Sequence, residues 1–181
     1  MTKVFLTACA KTKLKENRIM QKKNIHFLTQ AAMIAALYVV LTFIANAFGL
    51  ANYAVQVRFS EALTILPIFT TAGIPGLFIG CIISNVLTGC ALPDIIFGSI
   101  ATLIGAFGTY KLKSNRFLAV LPPIIANAVI VPLVLKYAYG IEPLWFSFVT
   151  VTAGEIISCG VLGLILAAVL NKYKTQIFGT V

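Results

Sequence analysis

The stretch Phe27–Phe48, FLTQAAMIAALYVVLTFIANAF, contains no Asp, Glu, Lys or Arg. A helix of roughly 20 apolar residues crosses the ~30 Å hydrocarbon core of a bilayer, so this stretch is read as a membrane span. The residues before it are the opposite in character. Half of the 14 basic residues of the chain precede the span: Lys3, Lys11, Lys13, Lys15, Arg18, Lys22 and Lys23. A basic tail beside a span orients the chain and touches anionic lipid; nucleic-acid binding is the weaker explanation. No small-residue cleavage site follows the apolar run before polar residues return, which argues against a cleavable leader. Met20 could be an internal start, which would make residues 1–19 a poorly ordered extension.

The same character extends over the whole chain of 181 residues. It is 60% hydrophobic and 10% charged, with a mean hydropathy of +0.98. A soluble domain carries about 25% charged residues, so too few charges are present to coat a globule. Five further apolar segments follow the first: 59–71 with Pro67, 75–87 with Gly76 and Gly80, 93–110, 117–137 and 144–170. The expected fold is therefore an all-α integral-membrane bundle of about six transmembrane helices. Residues 1–25 form a basic cytoplasmic tail, 26–171 the membrane domain and 172–181 a cytoplasmic C-terminal tail. The second and third segments are too short to cross alone. They must lie among the other helices, where protein covers backbone that lipid would not tolerate. Short segments interrupted by Pro or Gly also point to a solute site in transporters.

Charge sets the orientation. With six spans, twelve of the fourteen basic residues fall on the side of the N-terminus, including Lys111, Lys113, Arg116, Lys172 and Lys174. Only Arg58 and Lys136 fall on the other side. By the positive-inside rule both termini are cytoplasmic, and the protein belongs in the cell membrane.

On that topology the polar residues converge in the outer half. Tyr53, Arg58 and Glu61 lie in or next to the first outer loop. Asn85 lies near the outer end of the third segment, Asp94 at the start of the fourth and Asn127 halfway along the fifth. Trp145 lies in the last outer loop and Glu155 two to three turns into the sixth segment. An ionised carboxylate at bilayer depth costs about 2.5–3.5 kcal/mol even on insertion scales, so it faces a cavity or a partner. A solute pocket open to the outside explains the convergence. The structural alternatives stand beside it: Glu155 pairs with Arg58 or Asn127, Asn127 repairs the helix broken at Pro132, Asn85 bonds two helices, and Tyr53 and Trp145 are interfacial aromatics.

Two further features bear on function. Ala31, Ala32, Ala35 and Ala36 form two small-xxx-small pairs, which in lipid let another helix approach closely. The chain also lacks a Gly-rich phosphate loop with Lys and Ser/Thr, and no relay of charges crosses its inner half. Nothing in it suggests an enzyme. His26 is the single histidine and Cys9, Cys81, Cys90 and Cys159 form no Cys-x-x-Cys pair, so neither a metal nor a cofactor is expected. The cysteines are expected to be small apolar fillers.

Four stretches carry a family resemblance: AAMIAALYVVLTF (Ala31–Phe43), VQVRFSEALTILP (Val55–Pro67), GIPGLFIGCIISN (Gly73–Asn85) and LPDIIFGSIATLIGA (Leu92–Ala106). The chain resembles the substrate-binding S components of energy-coupling factor (ECF) transporters, and within them the QueT family assigned to queuosine precursors. The resemblance implies a six-helix fold with an outward site capped by the first outer loop. It further implies that the four alanines contact a transmembrane coupling subunit joined to two cytoplasmic ATPases, so that ATP is used by partners. The implied ligand is a 7-deazaguanine bound by Glu155, Asn127 and Asn85. Asp94 or Glu61 would meet a cationic substituent, and Tyr53 or Trp145 the flat face. Rival readings are an S component for another vitamin or base, a self-sufficient small-molecule carrier, and a non-transporting scaffold.

Overall fold

The computed structural model describes residues 2–50 and 57–178, with side chains described at all of these except 2–17, 19, 175 and 178. Among the described residues every regular element is helical. In chain order they are α1 (Thr2–Ala47), a 3₁₀ segment (Phe59–Ile68), α2 (Gly73–Leu87), α3 (Leu92–Lys111), the single turn α4 (Arg116–Ala119), α5 (Leu121–Tyr139), α6 (Leu144–Glu155), a π turn (Ile156–Leu162) and α7 (Gly163–Phe178).

α1 has 46 residues, about 69 Å at 1.5 Å per residue, which is more than twice the hydrocarbon thickness. Its apolar part is Met20–Ala47. The helix extends through the basic tail back to Thr2. Three other stretches are long and apolar enough to cross a membrane: Leu92–Lys111, Arg116–Tyr139 and Leu144–Lys174. The remaining two segments are short, as the sequence led one to expect, but the first of them is wound more tightly than expected. Ten residues at about 2 Å each make the 3₁₀ segment near 20 Å long. It is buried from Ser60 to Pro67 and threads the middle of the bundle, touching α1, α2, α3, α7 and the π turn.

Around this central segment the helices pack in the order α1, α2, α3, α5, α6. Two contacts depend on glycine. A Cβ on Gly76 would lie 2.7 Å from the carbonyl oxygen of Ala31, and one on Gly80 would lie 2.8 Å from Tyr38 Cβ and 3.1 Å from Ala35 Cα. The flat face of α2 therefore seats α1. Likewise Gly105 and Gly108 of α3 receive Pro123 and Pro122 at the start of α5. Close backbone approach gains dispersion contacts, which is the main attraction between helices in lipid.

Burial is arranged for a membrane. On α1 the residues facing inward are Ala31, Ile34, Ala35, Tyr38, Thr42 and Ala45, while Met33, Leu37, Val40 and Phe43 face out. The outward apolar belt continues over Ile79, Phe97, Ile104, Ile125, Val129, Phe148, Ile165 and Val169. On a soluble monomer so large an apolar surface would associate; in lipid it is the solvated face.

Candidate ligand-binding site

The interior holds charged and polar side chains where a soluble protein would hold only apolar ones. Arg58, Glu61, Asn85, Asp94, Asn127 and Glu155 are all buried. They form two neighbouring groups.

The deeper group joins the 3₁₀ segment to α1, α5 and α6. Glu61 Oε1 accepts a hydrogen bond from the Tyr38 hydroxyl, and Glu61 Oε2 accepts one from Asn127 Nδ2 at 3.5 Å. Glu155 Oε2 accepts from Cys159 Sγ at 3.1 Å, and the same sulfur lies 3.3 Å from Thr64 Oγ1 and 3.4 Å from the Glu61 carbonyl oxygen. One side-chain oxygen from each of Glu61 and Glu155 and the Cys159 sulfur lie within 4.8 Å of one another. Glu155, Ser158 and Cys159 stand at i, i+3 and i+4, one helix face, and all three lie in the interior. A π turn begins directly after Glu155. Single π bulges inside α-helices are frequent at functional sites.

The second group lies one 3₁₀ turn along, at the start of α3. Arg58 Nη2 is 3.9 Å from Asp94 Oδ2. Tyr139 at the end of α5 donates to the same oxygen at 3.4 Å and accepts from the Ala91 backbone N–H at 2.9 Å. Asn85 Nδ2 approaches the Asp94 carbonyl oxygen at 3.5 Å, linking α2 to α3. A Cβ on Gly98 would meet both Asp94 Oδ1 and Asn85 Nδ2 at 3.3–3.4 Å, so glycine leaves these two groups their space.

These contacts decide between several of the alternatives raised by the sequence. Arg58 pairs with Asp94 and not with Glu155. The Asn127 amide is directed to the carboxylates of Glu61 and Glu155. The bond made by Asn85 is the helix-to-helix bond of the structural reading. Trp145 is 67% exposed, stacks edge-on against Phe146 with ring centroids 6.1 Å apart, and stands apart from both groups. Tyr53 lies outside the described residues. Tyr38, Thr64 and Cys159 join the cluster without having been singled out by sequence. Tyr38 could have been found as the one aromatic hydroxyl within the first span, on the face that repeats with Ile34 and Thr42. Cys159, expected to be an apolar filler, instead contacts both carboxylate residues.

The four alanines are divided by the fold. Ala31 and Ala35 are buried against Gly76 and Gly80 of α2 within the single chain. Ala32 and Ala36 are exposed on the outer face of α1.

A lipid-facing helical bundle that encloses charged and amide side chains defines a polytopic membrane protein with an internal polar site, the architecture of a solute-handling protein. A family model described as QueT transporter matches residues 28–172, and the chain belongs to that family. The Queuosine precursor transporter QueT of Lactococcus lactis subsp. cremoris (strain MG1363) is 34% identical over 85 residues, covering 47% of this chain. The matched segment spans 50% of that relative's length. No solved structure matches.

Proposed function

We propose that the protein is the substrate-capture subunit of an ECF-type importer, binding a queuosine precursor with a 7-deazaguanine base. The observation that carries this reading is the meeting of Glu61, Glu155 and the Asn127 amide at one buried place. Family membership and the name of the Lactococcus relative supply the solute class.

A guanine-like edge offers two adjacent N–H donors, which one carboxylate accepts in bidentate fashion. Glu155 takes that role. Its partner in the cluster, Cys159, is a weak donor that a better one displaces at little cost. Asn127 meets a further ring group, and Asn85 a polar edge on the neighbouring level. Glu61 or Asp94 meets a cationic 7-substituent, with Arg58 holding Asp94 in place. Tyr53 covers the flat face of the base.

The basic end of the bundle is cytoplasmic in this reading, with both termini inside and the site opening outward at the cell surface. Transport is driven by partners: a transmembrane coupling subunit, which meets α1 on the Ala32–Ala36 face, and two cytoplasmic ATPases. The protein itself uses no cofactor and catalyses no reaction.

The test is calorimetric titration of the purified protein with 7-aminomethyl-7-deazaguanine, together with native mass spectrometry for a co-purified solute. Saturable binding with one ligand per chain is expected. A vitamin of different mass in the spectrum would replace the ligand assignment. Uptake by proteoliposomes that contain this protein alone would replace the importer subunit by a self-sufficient carrier.

A further inference from the structure

At the basic end of the bundle, away from the polar site, a cavity of about 540 Å³ opens between the α3–α4 connection and α7. Its walls are Ser114, Asn115, Arg116 and Phe117 on one side and Leu164 and Ala168 on the other. The two chemistries are separated along the helix axis. Leu164, Ala168 and Lys172 follow each other at four-residue spacing, so they stand one above another on a single face of α7. The apolar pair lies toward the membrane interior and the lysine at the rim. Across the gap, Phe117 is 72% exposed on the apolar side, while exposed Ser114, Asn115 and Arg116 form the polar mouth. Asn115 accepts the Phe117 backbone N–H through Oδ1 at 3.0 Å, which holds the turn and leaves the amide nitrogen as a donor.

The charge around this mouth has one sign. Arg116 lines it, Lys111 and Lys113 precede that lining in the chain, Lys172 and Lys174 follow Ala168 on α7, and no Asp or Glu occurs anywhere in residues 95–141 or 156–181. A solute carrier subunit needs no such pocket for its own ligand, because the carboxylate cluster lies elsewhere in the bundle. A pocket with a cationic rim, hydroxyl and amide donors, and an apolar floor running into hydrocarbon is complementary to one molecule of the surrounding solvent. Basic pockets between helices on the cytoplasmic side are a known arrangement for anionic head groups.

We propose that this cavity seats one anionic phospholipid, its phosphate held by Arg116 and Lys172 with the Ser114 and Asn115 donors, and an acyl chain lying along Phe117, Leu164 and Ala168. Bound there, the lipid ties the α3–α4 connection to α7 at the membrane surface.

Quenching by brominated lipid tests it. Phe117→Trp in a Trp145→Phe background places a single indole at the cavity. The protein is reconstituted in phosphatidylcholine vesicles containing dibrominated phosphatidylglycerol or, separately, dibrominated phosphatidylcholine. Phosphatidylglycerol is expected to associate at least several-fold more tightly than phosphatidylcholine. Arg116→Gln and Lys172→Gln should each reduce that preference about 5-fold, in line with roughly 1 kcal/mol per cation near an anionic surface. Arg18→Gln with Lys22→Gln, which removes charge from α1, should leave it unchanged. Glycerophosphoglycerol, the head group without chains, should not displace the quencher. Equal quenching by the two lipids overturns the proposal and leaves the cavity to a protein partner. An equal loss in the α1 variant overturns it in favour of diffuse surface charge, and displacement by the head group alone overturns the two-part site.

Discussion

A carboxylate oxygen of Glu61, on the central 3₁₀ segment, lies within 4.8 Å of one of Glu155, at the end of α6. Two ionised carboxylates at that spacing would repel by roughly 3 kcal/mol at an effective dielectric constant near 20, and the donors that meet them, from Tyr38, Asn127 and Cys159, are neutral. Such a pair opposes stability in the empty protein and is suited to a ligand that brings N–H donors or positive charge. Glu155→Gln should therefore move stability and binding in opposite directions. The thermal unfolding midpoint without ligand should hold or rise. Affinity for a 7-deazaguanine should fall about 10- to 150-fold, the equivalent of a lost charge-assisted bond of roughly 1.5–3 kcal/mol. An analogue without the exocyclic amine should lose much less. If stability and affinity fall together, Glu155 is structural.

The Tyr38 hydroxyl donates to Glu61, and both side chains are buried. Tyr38→Phe keeps the ring and its packing against Gly80 but leaves a buried carboxylate oxygen short of a donor. Such a loss costs about 1–3 kcal/mol. Detergent-solubilised Tyr38→Phe should unfold at a lower temperature than wild type, and Tyr38→Phe combined with Glu61→Gln should recover part of the difference. Absence of recovery in the double variant would mean that the two side chains act independently.

Arg58 and Asp94 form a buried ion pair, and removing one partner of such a pair costs about 3–5 kcal/mol because the other charge is left behind. Arg58→Gln and Asp94→Asn should each destabilise the protein strongly. The double variant should be less destabilised than the sum of the two, with an interaction energy of at least 1 kcal/mol in a thermal or denaturant cycle. Additive effects would show that Arg58 is held by other groups.

The division of the alanines on α1 yields two phenotypes from neighbouring positions. Ala31→Trp and Ala35→Trp place a large ring against Gly76 and Gly80 and should abolish folding, read as loss of a monodisperse peak in gel filtration. Ala32→Trp and Ala36→Trp add the ring to an open face. These variants should fold and bind solute like wild type but lose uptake in cells if the coupling subunit docks there. Normal uptake in both would move the coupling contact off α1.

Reporter fusions test orientation. A reporter at Ser114 or after Val181 should read cytoplasmic, and a tag near Gly140 external. A cytoplasmic reading at Gly140 would invert the bundle and turn the polar site inward.

The sequence alone determined that this chain lives in lipid, where its apolar segments lie and which residues are out of place there. Those inferences rest on the cost of moving single side chains into hydrocarbon, a property of composition and order. Glu61, Asn127 and Glu155 stand out in this way because each interrupts an apolar run. Tertiary structure alone decided which of them meet. By sequence Arg58 could face Glu155; the 3₁₀ winding and the start of α3 place it against Asp94. Cys159 stands four residues after Glu155, so helical periodicity puts the two on one face, but only the packing of the 3₁₀ segment against that face brings Thr64 and the Glu61 carbonyl to its sulfur. The four alanines are alike in sequence, and only the glycine face of α2 separates the buried pair from the exposed one. Pairings of this kind depend on how close two helices can come. That distance is set by small residues on both of them at once, and a reading of either segment alone does not contain it.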